Sequence, residues 1–212
     1  MSSWQLLKTP KLPGSANMEL DIRLFHDHES GLIPSTLRIY SWQPKCITYG
    51  YAQKVEKLID LEKFKSEGWD IVRRPTGGGI VFHNEGEVAY SLVTDLDNPL
   101  LPEGLIPSYK RISEAIVVGL KEIGIAAEIQ NPKSKIQNKS QLSNPNKHLC
   151  FSYPAEYEIV AKGKKIVGSA PKRGTKTLLQ QGAILVRPAD FEEISKALIF
   201  GFEEVLKIST PH

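Results

Sequence analysis

The sequence predicts an α+β fold, a single domain with a mixed, mainly antiparallel sheet flanked by helices. Three observations predict it. Apolar residues recur at helical spacing in four stretches, and short β-branched and aromatic runs lie between them. Their order mixes helices with hairpin strands and lacks a strict strand–helix–strand alternation. The 212 residues suffice for one substantial core without disulfide or metal staples.

Each element has its own signal. Ser15 is placed to cap a helix over Ala16 to about His28, with Met18, Ile22 and Phe25 on one face. Thr36–Trp42 and Cys46–Tyr51 read as strands around Pro44. Glu56–Glu67 reads as a helix with Leu58, Leu61 and Phe64 inward and Gly68 as its stop. Trp69–Arg74, Ile80–His83 and Glu87–Thr94 read as strands, the last with Val88, Tyr90 and Leu92 alternating. After a proline-rich connection, Ser108 is placed to cap a helix striped by Tyr109, Ile112, Ile116 and Leu120, which Gly124 ends. Ala126–Gln130 reads as a strand. Asn131–Lys147 is rich in Asn, Ser and Lys and reads as a mobile polar surface loop. Glu156–Lys162 and Lys164–Ala170 form a hairpin around Lys162-Gly163, and Leu178–Val186 is a further strand. Asp190 with Glu193 makes a capping box for the last helix, lined by Phe191, Ile194, Leu198 and Val205.

Composition excludes several classes. The net charge of +3 comes without the dense basic stripe of a nucleic-acid binder. No apolar run is long enough to span a bilayer, and no signal-peptide h-region opens the chain. Cys46 and Cys150 fall in no metal-type spacing. The expectation is a cytoplasmic protein with free thiols, no resident metal and no membrane association.

The chemistry concentrates in two places. Arg73-Arg74-Pro75-Thr76-Gly77-Gly78-Gly79-Ile80-Val81-Phe82-His83 sets three glycines between a cationic pair and a histidine. A glycine run can be a plain turn. Between two buried strands it more often marks close approach to the backbone, and Arg74 and His83 flank it with polar groups. The second place joins Cys150 to the hairpin Gly163-Lys164-Lys165-Ile166-Val167-Gly168-Ser169-Ala170. Strict alternation places Lys165, Val167 and Ser169 on one face, and Gly168 and Ala170 keep the other face low. An ammonium within reach of Cys150 would hold a thiolate at neutral pH, as nucleophilic acyl transfer requires. The alternative is an inert buried thiol and one more solvated lysine.

These segments resemble the biotin/lipoate protein ligase and octanoyltransferase superfamily. Asn17-Met18-Glu19-Leu20-Asp21 resembles its first-helix signature and Arg73–His83 its acyl-pocket loop. Gly163–Ala170, followed by Gln180-Gln181-Gly182-Ala183-Ile184-Leu185, resembles its catalytic-lysine hairpin. The resemblance runs from about Asn17 to Val205 and implies one catalytic domain over residues 1–212, without a C-terminal accessory domain. It implies Cys150 as the acyl-accepting nucleophile and Lys165 as its activator. It implies Arg74, Thr76, Gly77, Gly78, Gly79, His83, Gly168 and Ala170 as the acyl-binding wall. The Cys–Lys pair is similar to the octanoyltransferase branch. The implied donor is octanoyl acyl carrier protein, and the implied acceptor is a lipoyl domain or the glycine cleavage H protein, with no cofactor. The alternative branch, the lipoate–protein ligases, uses ATP and magnesium. One departure is Gln181-Gly182, where family members often have His-Gly.

Overall fold

Runs with period two pair here into two sheets of unequal size, and the helices fill the space around them. The computed structural model describes residues 4–130, 158–186 and 190–208. In chain order the elements are β1 (Gln5–Leu12), α1 (Gly14–Glu29), β2 (Thr36–Trp42), β3 (Cys46–Tyr49), α2 (Leu61–Ser66), β4 (Asp70–Arg73) and β5 (Val81–His83). They continue with β6 (Val88–Asp95), α3 (Leu105–Glu122), β7 (Ala127–Ile129), β8 (Ile159–Ala161), β9 (Lys164–Arg173), β10 (Thr177–Ile184) and α4 (Phe191–Leu206). The larger sheet runs β1-β2-β6-β10-β9-β8-β7 and the smaller β4-β3-β5. Only β1–β2 and β3–β4 pair in parallel among the described strands. The expected mixed, mainly antiparallel α+β architecture is the one observed.

The larger sheet is covered on both faces, which explains why every residue of β2 is buried. On one face Leu37, Ile39, Tyr90, Leu92 and Val167 pack against Ile112, Ile116 and Leu120 of α3 and Ile194, Leu198 and Phe202 of α4. On the other face lie α1 and the small sheet, through Met18, Tyr40, Trp42, Cys46 and Ala89 and through Leu24, Phe25, Val93 and Leu179.

Several local expectations are corrected. Helix α1 starts at Gly14 behind Pro13, with no side-chain cap, so Ser15 is inside it. Ile22 is 39% exposed, and Asn17 and Asp21 take the buried stripe with Met18 and Phe25. The stretch Glu56–Glu67 is not one helix. A short 3-10 turn spans Val55–Lys57, and Asp60 then caps a new start by accepting from the Lys63 amide at 3.0 Å. Ser108 does not cap α3. It lies in the first turn and its hydroxyl donates back to the carbonyl of Gly104 at 2.7 Å. Strand β1, at the edge of the larger sheet, lies in a stretch to which the sequence reading assigned no element. Its register shifts between Lys8 and Lys11, around a proline that cannot donate to the ladder. The last helix begins as expected, with Asp190 accepting from the Glu192 and Glu193 amides. The polar stretch 131–147 lies outside the described residues.

Between the layers sits a buried ion pair. Arg38 on β2 donates to Asp21 on α1 at 2.6 Å, and both side chains are fully buried. Asp21 also accepts from Ser91 at 2.7 Å and Tyr40 at 3.2 Å. Arg38 donates to the Asn17 side-chain oxygen at 2.6 Å, and its guanidinium lies over the Tyr40 ring. Removing one partner of such a pair strands the other charge in a dry interior. Asp21→Ala is therefore expected to lower stability by about 3–5 kcal/mol at neutral pH, as urea unfolding would measure. A loss below about 1 kcal/mol, the value of an exposed pair, would contradict this.

Candidate active site

The two sheets leave a narrow cleft between them, on the α1 side of the larger sheet. Met18, Tyr40, Trp42, Val81 and Ala89 give it apolar walls, while Gly168, Ala170, Gln181 and Ala183 of β9 and β10 form a low side. Arg74, Thr48 and His83 add polar edges. Its cavity volume is about 30 Å³.

The glycine loop forms one rim. Gly78 has φ of +89°, a conformation that side-chain-bearing residues rarely adopt. Its carbonyl passes so close to Gly50 that a Cβ there would sit 2.3 Å away, so Gly50, which the sequence reading did not single out, admits the loop. Arg74 is buried, and its guanidinium is committed to the loop itself. It donates to the Gly77 carbonyl at 2.6 Å, the Gly79 carbonyl at 2.7 Å and the Thr48 hydroxyl at 3.3 Å. Arg74 therefore shapes the rim as well as charging it.

His83 is buried, stacked on Trp42 at 4.2 Å and hydrogen-bonded through Nε2 to Thr48 at 3.0 Å. Burial first, and the Arg74 charge second, push its pKa down to about 3. It stands in the cleft as neutral imidazole throughout the physiological range.

Thr76 and Gln181 close the inner end. The Thr76 hydroxyl donates to Gln181 Oε1 at 2.8 Å, and Gln181 Nε2 donates to Asp21 at 2.6 Å. An amide offers an acceptor and a donor at once, so Gln181 ties the glycine loop to the buried Asp21–Arg38 pair. Its departure from the usual histidine thus has a defined hydrogen-bonding role.

Lys165 is placed differently from the simple alternation. Ile159 pairs with Val167 but Val160 pairs with Lys165, so Ile166 is an extra residue in β9, a β-bulge. Ile166 and Val167 both pack toward the α3–α4 core. The bulge turns Lys165 to the opposite face, the cleft side that Gly168 and Ala170 share, and not to the face of Val167 as expected. There its Nζ lies 2.5 Å from Glu158 Oε1, with side-chain exposures of 2% and 7%. Lys164, by contrast, is exposed. Glu158 went unnoticed in the sequence. A second carboxylate just ahead of a strand that pairs with the lysine strand was the one available signal.

The structure thus brings Arg74, His83, Gly168 and Ala170 to the cleft, sets Thr76 and Gly77–Gly79 in its rim, and puts Lys165 on its side of the sheet. Cys150 lies outside the described residues. Cys46 is fully buried, and burial, with Asp70 adding to it, pushes its thiol far up, so it is inert. Among the described residues no group of three or more His, Cys, Asp or Glu is placed to hold a metal, and no helix is long and apolar enough to cross a membrane.

Comparison with known proteins gives a consistent result. The family model for the lipoyl protein ligase A/B catalytic domain matches residues 13–208. Octanoyltransferase LipM of Macrococcus caseolyticus is 37% identical over 202 residues, covering 95% of this chain and 72% of the relative. Octanoyltransferase LipM of Lysinibacillus sphaericus is 38% identical over 204 residues, covering 96% and 73%. Among solved structures, protein Ta0514 of T. acidophilum with bound lipoic acid superimposes with a TM-score of 0.78 at 26% identity, covering 100% of this chain and 88% of the other.

Proposed function

The chain belongs to the lipoyl protein ligase A/B catalytic domain family, and from that premise we propose that it is an octanoyltransferase of lipoate biosynthesis that works through a cysteine thioester. It is an acyltransferase by kinship with the octanoyltransferases it matches along nearly its whole length. The observation that carries the finer reading is the buried lysine, Lys165, held on the cleft side of β9 beside the low Gly168–Ala170 surface.

The donor is octanoyl acyl carrier protein and the acceptor a lysine of a lipoyl domain or of the glycine cleavage H protein. Cys150 attacks the donor carbonyl as thiolate, and the carbon–sulfur bond to the carrier breaks. The departing carrier thiolate takes a proton from the Lys165 ammonium. The acceptor amine then attacks the Cys150 thioester and forms the amide. Its proton returns to Lys165, and Cys150 leaves as thiolate. The octanoyl tail enters the apolar cleft, which must widen beyond its present volume of about 30 Å³ to hold it, with the glycine-loop amides nearest the carbonyl end as oxyanion donors. The route needs no cofactor, because the donor thioester already carries the energy.

One assay tests this: acceptor modification from octanoyl carrier protein, with and without ATP and magnesium, by wild type and Cys150→Ser. Wild type is expected to octanoylate one acceptor lysine without nucleotide, and Cys150→Ser to fail. ATP-dependent use of free octanoate or lipoate that survives the Cys150 change would replace this reading with a lipoate–protein ligase.

A further inference from the structure

We infer that a basic groove beside the cleft is the docking surface for an acidic face of the donor carrier protein. The inference rests on the transferase reading and adds the surface that receives its donor. The groove has a volume of about 620 Å³ and is set by parts of three elements. Arg73 ends β4, Lys172 and Arg173 end β9, and Ile22 and His26 lie one turn apart on α1. It adjoins the cleft at two points. Arg74 lines both, and Pro171 of the groove follows Ala170 of the cleft wall.

Arg73, Arg74, Lys172 and Arg173 put four cations around this recess, and no Asp or Glu lines it. Other surface cations stand beside carboxylates, as Lys8 does with Glu192 at 2.7 Å and Arg111 with Glu114 at 3.1 Å. Among the described residues, neither Arg73 nor Arg173 is ion-paired. The Lys172 ammonium lies 5.2 Å from the centroid of the Phe25 ring, a contact that leaves its charge in place. Arg74 donates to the Gly77 and Gly79 carbonyls, which carry no net charge. Cations gathered this way repel one another, and an acidic partner removes that cost. Ile22 and Tyr51, 39% and 59% exposed, add apolar surface to the same groove. The outward turn of Ile22 on α1 thereby gains a use.

Charge also selects between the two protein partners. The donor brings an acyl chain on a tether, and that chain has to pass from the carrier surface into the cleft, so the carrier comes to rest beside the cleft. The acceptor brings a lysine, itself a cation, which this groove repels. The groove therefore suits the donor.

The test compares wild type with the groove variant Lys172→Glu/Arg173→Glu. The control is Lys121→Glu/Lys196→Glu, the same charge change on exposed lysines of α3 and α4, across the larger sheet. Binding of fluorescently labelled octanoyl carrier protein is followed by anisotropy. Transfer is followed with octanoyl carrier protein, octanoyl-phosphopantetheine and octanoyl-pantetheine as donors in turn. The groove variant is expected to bind the carrier roughly tenfold or more weakly and to raise its KM to match. Its kcat, its transfer from both small thioesters and its KM for the acceptor are expected to hold at wild-type values. The control is expected to behave as wild type throughout. Added salt is expected to weaken wild-type binding and to affect the groove variant far less. Unchanged carrier binding by the groove variant, or an equal loss in the control, overturns the inference. So does an equal loss with octanoyl-phosphopantetheine, which would make the groove a phosphate site, or a loss confined to the acceptor. If the Glu pair does not fold, Lys172→Gln/Arg173→Gln is read by the same criteria, with an expected loss of about threefold. Failure of wild type to transfer from any of these donors without ATP would sink the transferase reading instead, and the binding comparison would still decide the groove.

Discussion

Cys150→Ala enzyme is expected to gain no octanoyl mass from octanoyl carrier protein and to lose transfer by a factor on the order of 10⁴ or more. Wild type incubated with the donor alone is expected to gain one octanoyl group, on the peptide that contains Cys150. The size of the effect follows from the chemistry. Splitting transfer into a thioester exchange and an aminolysis depends on a thiolate, and among the described residues the one cysteine is Cys46. Cys46, the second thiol, is sealed beneath Gly14 and Val72 and cannot substitute. Octanoyl mass on Cys46, or undiminished transfer by the Ala variant, would refute covalent catalysis at Cys150.

Lys165→Ala is expected to slow transfer by roughly 10²–10⁴-fold, the usual contribution of a positioned acid–base group. Lys162→Ala and Lys164→Ala are expected to stay near wild type. The three lysines are near neighbours in sequence but not in environment. Lys162 and Gly163 both have positive φ and form the hairpin turn, Lys164 is exposed, and Lys165 is buried against Glu158. Acyl-enzyme formation and acceptor transfer should both suffer in Lys165→Ala, because its proton is used in each. Equal losses at all three positions, measured as initial rates at fixed pH, would show that the hairpin matters only as a charged surface.

Much of this architecture was legible in the sequence because it is written locally. The α3 and α4 stripes, the Asp190 capping box and the Lys162–Gly163 turn each depend on residues within a few positions of one another. The cleft wall was legible for a different reason. Arg74, His83, Gly168 and Ala170 sit in motifs whose resemblance to a family supplied the long-range pairing that spacing alone does not.

What escaped was decided by distant partners. Asp21 and Gln181 lie 160 positions apart, and neither looks unusual until the amide is seen between the carboxylate and Thr76. Asp21 on the inner stripe of α1 displaced Ile22 because Arg38 waited on β2. The run at Glu56–Glu67 kept its helical spacing yet broke, since Asp60 offers a better start than the residues before it. Strand β1 has a proline in its middle, which reads against sheet, and its place at an edge is what permits it.

The extra residue in β9 has a consequence for how this segment tolerates change. In an uninterrupted strand, direction follows parity: odd and even positions look opposite ways. Ile166 resets the count between Lys165 and Val167. Substituting Ile166 with another apolar residue leaves the count, and so the orientation of Lys165, untouched. Deleting Ile166 removes the kink, yet it also leaves Lys165 facing away from Val167, because the two then become adjacent. An inserted residue that keeps the bulge points the ammonium into the apolar layer under the helices, and one that straightens the strand moves Lys165 two pairing positions beyond Val160, away from Glu158. Length at this point, more than composition, decides which way the lysine looks, so a single-codon insertion is the more damaging lesion and a single-codon loss the milder one.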